Sequence, residues 1–349
     1  MENQTVSDIV SDESKTENIA LKKGKHDPDW ERRRKKKLLK AKDYTENILI
    51  TVIPFVGFLI FGIVPMVMSL VISFSELHTS QLADATWIGF KNYIDIFSGQ
   101  FPEIGYAYLN TLIYLVNVPL GLILNVLVAN LINKATFGKK FARFVYFIPY
   151  VCSTVALSFM FQLLYRENGG VFNNILNLFG FESVRWLAQS PVSFMLCTAL
   201  VTMWAGSGFS IVLLGASLAK VDKTYYEAAD LDGAGEFTQF WRITLPAVTP
   251  TLSYLLTMAL IGSIQVMSEP MILAGEIRDT MTYWVNAEGE HVANGTFTAV
   301  YQIYNMAFEN SYTYGFGIAS ACAWVLTVVI LLVTRLNLRL QRRWVCYDF

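Results

Sequence analysis

Six stretches of this sequence are long and apolar enough to cross a membrane as helices, and they restrict the fold more than any other feature. The hydrocarbon core of a bilayer needs about 20 apolar residues per helical crossing. The stretches lie at about 46–75, 108–132, 142–165, 192–219, 246–274 and 314–338. Hydrophobic residues make up 54% of the chain and charged residues only 16%, which is typical of integral membrane proteins. The sequence therefore predicts an all-α integral membrane protein with six transmembrane helices.

Basic residues are distributed unevenly between the two sides of these stretches. They are concentrated before the first stretch, in the second-to-third and fourth-to-fifth links, and at the C-terminus. The links on the opposite side hold only Lys91, Arg166, Arg185 and Arg278. Because cytoplasmic loops carry the excess of Lys and Arg, this bias predicts that both termini are cytoplasmic. An even number of crossings is then required, which agrees with six.

The N-terminal tail, residues 1–45, is polar and carries the basic run RRRKKK at 32–37. We expect it to be cytoplasmic, disordered over 1–28 and directed towards anionic lipid. A nucleic-acid role is not expected, because the first part of the tail leans acidic and lacks an aromatic cluster. The first apolar stretch is too long for the core of a signal peptide, so no cleavage is expected. Residues 341–349 are predicted to form a second cytoplasmic tail.

Sequence signatures of catalysis are missing. No G-x-x-x-x-G-K-[ST] motif occurs, because Gly24-Lys25 and Gly138-Lys139 lack the preceding glycine and the following Ser or Thr. There is no nucleophile elbow, no H-E-x-x-H motif and no pair of carboxylates within an apolar stretch. The four cysteines show no CxxC spacing and the three histidines are scattered. We therefore expect a chain that is not an enzyme and that holds no metal or cofactor of its own.

The link at 275–313 is long for a connector, and its role stays open. Its segment Tyr283–Val292 predicts a short β-hairpin that turns at Ala287-Glu288-Gly289. The sequence Asn294-Gly295-Thr296 matches the glycosylation acceptor pattern, which is a weak signal by itself.

A polar stretch at 220–245 separates the fourth and fifth apolar segments on the predicted cytoplasmic side. Asp222 can cap a helix that starts near Lys223, and Gly233 is expected to interrupt that helix. A second short helix and the first turn of the fifth crossing are expected to carry Phe237, Phe240, Ile243 and Pro246. The pattern therefore predicts two short helices at about 222–245.

Two interpretations of this helix pair are open from the residues alone. It could be an amphipathic element that rests on the membrane surface and re-enters the bilayer. It could equally be a docking surface, because the small side chains of Ala228 and Ala229 allow another body to approach closely. Glu227 and Asp232 could then pair with basic groups of that partner.

The segment EAADLDGAGEFTQFWRITLP resembles the EAA signature of the membrane subunits of binding-protein-dependent ABC importers. The matching residues are Glu227, Ala228, Ala229, Asp232, Gly233, Ala234, Phe240, Ile243, Leu245 and Pro246. The flanking LLGASLAKV and the late GFGIASACAW are similar to the sugar-importer branch that contains the maltose and glycerol-phosphate permeases. The resemblance covers nearly all of 46–340. Asp222 departs from the proline that is frequent in this branch, although aspartate can cap the same helix.

The resemblance implies that the two short helices are a coupling helix pair that sits in a cleft of a separate ATPase subunit. The docking residues it implies are Glu227, Ala228, Ala229, Asp232, Gly233, Ala234 and Phe237. It implies that ATP and Mg²⁺ bind to partner ATPase subunits and not to this chain. The other implied partners are a second homologous permease, an extracytoplasmic solute-binding protein and a sugar substrate, at a bacterial plasma membrane.

Polar and aromatic residues within the predicted crossings are candidates for a sugar path. Asn110, Asn117 and Asn125 fall roughly on one helix face, and could alternatively form interhelical hydrogen bonds. The segment 204–210 could bend the fourth helix and offer Trp204 to a sugar ring, or its small residues could simply pack closely. In the fifth crossing, Glu269 lies near the outer end, so its side chain could simply extend into water instead of lining a sugar path. The path candidates are Asn117, Trp204, Tyr254, Gln265 and Glu269.

Taken together, these patterns predict the permease subunit of an ABC importer that carries an oligosaccharide or a related polyol. A non-sugar cargo is the main alternative. A secondary transporter or channel, or a membrane enzyme, is disfavoured because the crossings hold almost no charges and no catalytic set.

Overall fold

The computed structural model describes residues 28–79, 81–277 and 282–346, which are mostly helical. The expected disorder over 1–28 falls almost wholly outside the described residues. The chain divides into two compact units, of which the first ends at Ser69 and the second begins at Leu70.

The helices and strands follow one another along the chain, with π turns at Leu59–Ile63, Phe240–Thr244 and Asn305–Glu309. In order they are α1 Pro28–Phe58, α2 Val64–Ile72, β1 Ser75–Glu76, β2 Thr86–Trp87, α3 Lys91–Phe97, α4 Pro102–Tyr114, α5 Asn117–Lys134, α6 Lys139–Val151, α7 Thr154–Tyr165, α8 Val171–Leu178, α9 Pro191–Leu218, α10 Lys223–Leu231, α11 Glu236–Gln239, α12 Leu245–Ile264, α13 Ser268–Ala274, β3 Tyr283–Val285, β4 His291–Asn294, α14 Ala299–Tyr304 and α15 Gly315–Gln341.

The first unit is helical throughout its described part, and α1 continues through a π turn into α2. Pro65 accounts for this turn, because it has no N–H to donate to the carbonyl of Phe61 and its ring would clash there. The wider turn in front of Pro65, closed by the Val64 N–H on the Leu59 carbonyl, accommodates the ring. The apolar part, Ile48–Ile72, is 25 residues long and can cross a bilayer.

Among the described residues, five helices are long and apolar enough to cross a membrane, or six if one sharply bent pair counts as a single span. The five are Ile48–Ile72, Pro102–Lys134, Pro191–Leu218, Glu236–Ile264 and Gly315–Gln341. Each overlaps one of the predicted apolar stretches, so the all-α membrane class is confirmed.

The predicted third crossing, 142–165, is wrong as a single straight helix. It consists of α6 and α7, which meet at an angle of 99°. Pro149 removes one backbone donor near the end of α6, and Cys152 and Ser153 then adopt extended conformations. The mean hydropathy of the stretch could not reveal this break, because the residues on both sides of it are mostly apolar.

Prolines and helix ends also alter the second and fifth predicted crossings. The second is interrupted between α4 and α5 at Leu115 and Val116, since Pro119 cannot donate to the Leu115 carbonyl. The fifth was predicted to run to residue 274, but α12 ends at Ile264 and α13 is a separate short helix. That part of the prediction is wrong.

The centre of the second unit is α9, which packs against α4, α5, α6, α7, α12 and α13. Its glycines allow a close crossing: a Cβ at Gly208 would lie 2.5 Å from the carbonyl oxygen of Tyr146 and 2.9 Å from the Cα of Phe147. The segment 204–210 lies within one continuous helix, and Gly208 serves the close packing that was one of the two alternatives for it.

The predicted hairpin near 283–292 is confirmed by β3 and β4, which pair antiparallel with Tyr283 opposite Asn294. Gly289 has a φ of 85° at the turn, which suits glycine. Asn294 turns its side-chain oxygen inward to accept bonds from the N–H and hydroxyl of Thr296.

Candidate functional site

The polar stretch between α9 and α12, residues 222–245, folds as a bent element that we call the EAA element. Its first arm is α10, and Asp222 caps it as predicted by accepting the Thr224 N–H on Oδ1 at 3.0 Å. This bond favours the ionised carboxylate and lowers the pKa of Asp222. A charged cap at a helix N-terminus also complements the helix dipole.

The bend of the EAA element is set by Gly233, as the sequence predicts. Gly233 has a φ of +76°, and its N–H bonds to the Asp230 carbonyl at 3.1 Å. An added Cβ would meet nothing within 4 Å, so backbone conformation, and not space, requires glycine here. Ala234 closes the turn through its N–H on the Ala229 carbonyl at 2.9 Å.

The second arm corrects one part of the prediction. It is not a separate short helix, because α11 continues through the π turn at Phe240–Thr244 into α12, giving one helix from Glu236 to Ile264. The consequence is mechanical: whatever displaces the second arm displaces a membrane-length helix with it.

The outer surface of the EAA element exposes the residues expected to dock. Glu227, Ala228, Asp232 and Gly233 are exposed, whereas Ala229 and Ala234 are half-buried. Phe237 is 77% exposed, and Leu231 is 90% exposed on the other side of the bend. Leu231 was not among the residues expected to dock, although its position three residues after Ala228 placed it on the same side of α10. The element thus exposes one large apolar side chain on each side of its bend, together with the charged Glu227 and Asp232.

A cavity of about 480 Å³ with a mixed polar and apolar wall lies between α4, α5, α6, α9, α12 and the start of α13. We call it the polar cavity, after the amide, carboxyl and hydroxyl groups that line it. It brings together three of the predicted path residues. Asn117 is the first residue of α5, Gln265 follows the end of α12, and Glu269 lies in the first turn of α13. Gln265 and Glu269 were expected to share one helix face. They meet at the cavity although they do not lie on one helix, because α12 ends at Ile264, just before Gln265, and Glu269 belongs to α13.

The cavity wall is organised by short hydrogen bonds between helices. Ser263 of α12 donates its hydroxyl to Asn117 Oδ1 at 3.0 Å, and Tyr114 of α4 donates to Thr202 Oγ1 of α9 at 2.8 Å. Asn117 therefore combines the two roles left open, since it bonds between helices and also lines the cavity.

An aromatic pair completes the cavity wall. The rings of Tyr150 and Phe209 stack with centroids 5.5 Å apart and an interplanar angle of 25°. Both rings border the same space as the polar side chains of α5 and α12. This pair could not be predicted, because the two residues lie on different helices, α6 and α9.

Asn110 and Asn125, the other two asparagines predicted to share a helix face with Asn117, have different surroundings. Asn110 is fully buried, donates to the carbonyls of Asn294 and Phe297, and accepts the indole N–H of Trp284. It therefore anchors the hairpin to α4. Asn125 lines both the polar cavity and a neighbouring apolar one.

Trp204 and Tyr254 lie apart from the polar cavity. Trp204 borders the second cavity, of about 550 Å³ and apolar, and packs edge-on against Phe161 with centroids 5.6 Å apart. Tyr254 has a side chain that is 45% exposed, and it lines neither of these two cavities of the described part of the chain.

Membrane-length helices around a polar cavity, joined by an exposed bent element, define a membrane transport subunit. Residues 117–345 match the family described as "Binding-protein-dependent transport system inner membrane component", and the chain belongs to this family. The EAA resemblance is thereby confirmed, and the protein is a multi-pass permease subunit of an ABC transport system.

Its relatives span nearly the same length. The chain is 29% identical over 305 residues to the probable ABC transporter permease protein YesP of Bacillus subtilis, covering 84% of this chain and 90% of YesP. It is 29% identical over 296 residues to the arabinooligosaccharides transport system permease protein AraP of the same species, covering 82% and 86%. A chain in the crystal structure of a bacterial ABC transporter for import of the acidic polysaccharide alginate aligns with a TM-score of 0.70 and 25% identity, covering 88% and 99%.

Proposed function

We propose that this chain is one permease subunit of an ATP-driven importer whose cargo is a carbohydrate, specifically an oligosaccharide. The AraP relative is named for arabinooligosaccharide transport, and the solved relative imports alginate. The observation that carries the proposal is the 480 Å³ cavity, where amide and hydroxyl groups converge beside a stacked aromatic pair. Few, well-placed polar groups on a partly apolar wall are what a small-molecule site requires.

The complex we propose contains a second homologous permease, two ATPase subunits and an extracytoplasmic solute-binding protein. Family membership supports the binding protein directly, through the description of the family. ATP and Mg²⁺ would bind to the ATPase subunits, because the sequence contains no phosphate-binding loop. This chain would then perform no covalent chemistry.

The proposed membrane arrangement has six crossings, with the bent pair α6–α7 as the third and both termini in the cytoplasm. The uneven distribution of Lys and Arg supports this orientation. It places the EAA element in the cytoplasm and the hairpin of β3 and β4 outside. Residues 46–340 would form the permease domain of a bacterial plasma-membrane complex.

In this proposal the EAA element docks on an ATPase subunit. Glu227 provides a charge-assisted anchor, and Ala228 and Ala229 permit close approach. Leu231 and Phe237 supply apolar contact on either side of the bend, and both are largely exposed in this chain. Closure of the ATPases on ATP would move α10 and, through the continuous second arm, α12.

The proposed sugar path runs through the polar cavity. Asn117, Gln265 and Glu269 would accept or donate hydrogen bonds to sugar hydroxyls, and Tyr150 and Phe209 would pack against the apolar face of a ring. We leave Trp204 and Tyr254 out of the proposed path, because neither side chain lines the polar cavity.

Uptake by the full complex in proteoliposomes, with the solute-binding protein and a panel of labelled oligosaccharides, tests the proposal. Asn117→Ala combined with Gln265→Ala should lower the uptake rate at least tenfold while the complex still assembles. Tyr254→Ala is the matched control, since it removes a polar aromatic side chain of α12 outside the cavity, and it should retain uptake. Uptake of peptides but not sugars, or unchanged uptake by the double variant, would contradict the proposed cargo or the proposed path, respectively.

A further inference from the structure

A second set of contacts joins the two arms of the EAA element directly. The side-chain amide of Gln239 donates to Asp230 Oδ1 at 2.6 Å and to the Ala234 carbonyl at 2.9 Å. One side chain of the second arm therefore holds both the end of α10 and the turn. The two N–H groups of a glutamine amide match these two acceptors.

A second bridge runs parallel to the first. The hydroxyls of Tyr226 on α10 and Thr244 in the π turn are 3.0 Å apart. Tyr226 and Asp230 are four residues apart and so share one face of α10. Their partners Thr244 and Gln239 must likewise share one face of the second arm for both bridges to form.

The π turn provides that alignment. Residues five apart in a regular α-helix point about 140° away from each other around the axis. In the turn at Phe240–Thr244 the Leu245 N–H bonds to the Phe240 carbonyl, an i to i+5 bond. Residues five apart are thereby brought closer to alignment than in a regular α-helix, and the Thr244 hydroxyl also reaches the Gln239 carbonyl at 3.4 Å.

We propose that Gln239 is a positioning residue for energy coupling, which fixes the angle between α10 and the helix that continues into α12. The proposal rests on the proposed docking of the EAA element. A joint made by Gly233 alone is a hinge, because glycine accepts many backbone conformations. Force applied to α10 would then bend the turn instead of moving α12. The bridge from Gln239 to Asp230 and Ala234 closes that hinge, and of its three members Gln239 and Ala234 are half-buried and Asp230 is exposed.

Gln239→Met tests this role in the full complex, because methionine keeps the length of the side chain and removes the amide. ATPase subunits should co-purify as with the unmodified chain, and the amount of solute imported per ATP hydrolysed should fall at least fivefold. Thr238→Ala, an exposed neighbour, is the matched control and should leave this ratio unchanged.

A rescue experiment separates positioning from general damage. Gln239→Glu should also lower the ratio, because a carboxylate would face the Asp230 carboxylate and the Ala234 carbonyl. When Asp230→Asn is combined with Gln239→Glu, the asparagine amide can donate to the new carboxylate at position 239. The double variant should therefore recover at least half of the import-to-hydrolysis ratio of the unmodified chain. If the double variant imported even less solute per ATP than Gln239→Glu alone, the proposal would be overturned, because structural damage from two independent substitutions adds up.

The remaining outcomes distinguish this inference from the docking on which it rests. An unchanged ratio in Gln239→Met, in a preparation where Glu227→Lys loses the ATPase, would overturn the positioning role alone. Normal ATPase co-purification in Glu227→Lys would overturn the docking and this inference with it. If Gln239→Met does not assemble, Asp230→Ala removes the same bond from an exposed side chain, and a normal ratio in that variant would overturn the proposal.

Discussion

Two glycines of α9 provide a test of how closely this helix crosses α6. A Cβ at Gly208 would lie 2.5 Å from the Tyr146 carbonyl oxygen, a distance that real Cβ atoms essentially never show. A Cβ at Gly206 would meet nothing within 4 Å. The same substitution two residues apart on one helix therefore isolates the packing at the crossing.

The expected magnitude follows from two opposing effects. Alanine is favoured over glycine in a helix interior by about 0.8–1.0 kcal/mol, and this gain is common to both variants. Overpacking a close contact costs about 1–3 kcal/mol, and it applies only to Gly208→Ala. Because the contacted atoms belong to the backbone of α6 and cannot rotate away, we expect the upper part of this range. Gly206→Ala should be neutral or stabilising.

Thermal unfolding of the purified complex in detergent measures the difference. Gly208→Ala should lower the transition temperature by several degrees relative to Gly206→Ala, with membrane insertion of both variants intact. Equal transition temperatures would refute the reasoning, because they would mean that α6 and α9 do not touch at Gly208.

Three further variants address the EAA element and the hairpin. Glu227→Lys should reduce ATPase co-purification at least tenfold, by replacing an attraction with a repulsion, while solute capture by the isolated binding protein stays normal; normal co-purification would argue for a membrane-surface role. Gly233→Val should abolish ATP-driven uptake, since a β-branched residue is strongly disfavoured at a φ of +76°, whereas Gly235→Val, at a φ of −68°, should retain it. Asn110→Leu should destabilise the protein by about 2–4 kcal/mol, because buried partners of its three hydrogen bonds are left unpaired. Faster proteolysis within 283–294 would report the loosened hairpin, and an unchanged digestion pattern would contradict its anchoring by Asn110.

Local features of this protein were predictable because each depends on a few neighbouring residues. Asp222 and Gly233 show this for the EAA element: a capping side chain and a glycine in the left-handed region act within one turn of the backbone. The hairpin at 283–294 follows in the same way from alternating residues around Gly289. Most crossings were located correctly because apolar length alone decides which segments can span lipid.

Continuity of the helices was harder to predict. The break at Cys152 and Ser153 lies within a stretch that is mostly apolar on both sides, and only a few polar residues, Gln265, Ser268 and Glu269, follow the end of α12 at Ile264 before α13 becomes apolar again. The second arm of the EAA element shows the opposite error, since a polar segment continues without interruption into an apolar helix.

The composition of the candidate site depended on the tertiary structure. Asn117, Gln265 and Glu269 meet in one cavity because α5, α12 and α13 converge there, whereas Trp204, equally plausible by residue type, faces the apolar cavity. Helical periodicity assigns a residue to a face of its own helix, but it does not say which neighbour that face will meet. The sequence by itself thus determined the membrane class, the capped and bent element and the family. The crossing of α6 with α9 and the partners of Gln239 were decided only by the packing of helices far apart in the chain, because crossing angles depend on the side chains of both helices at once.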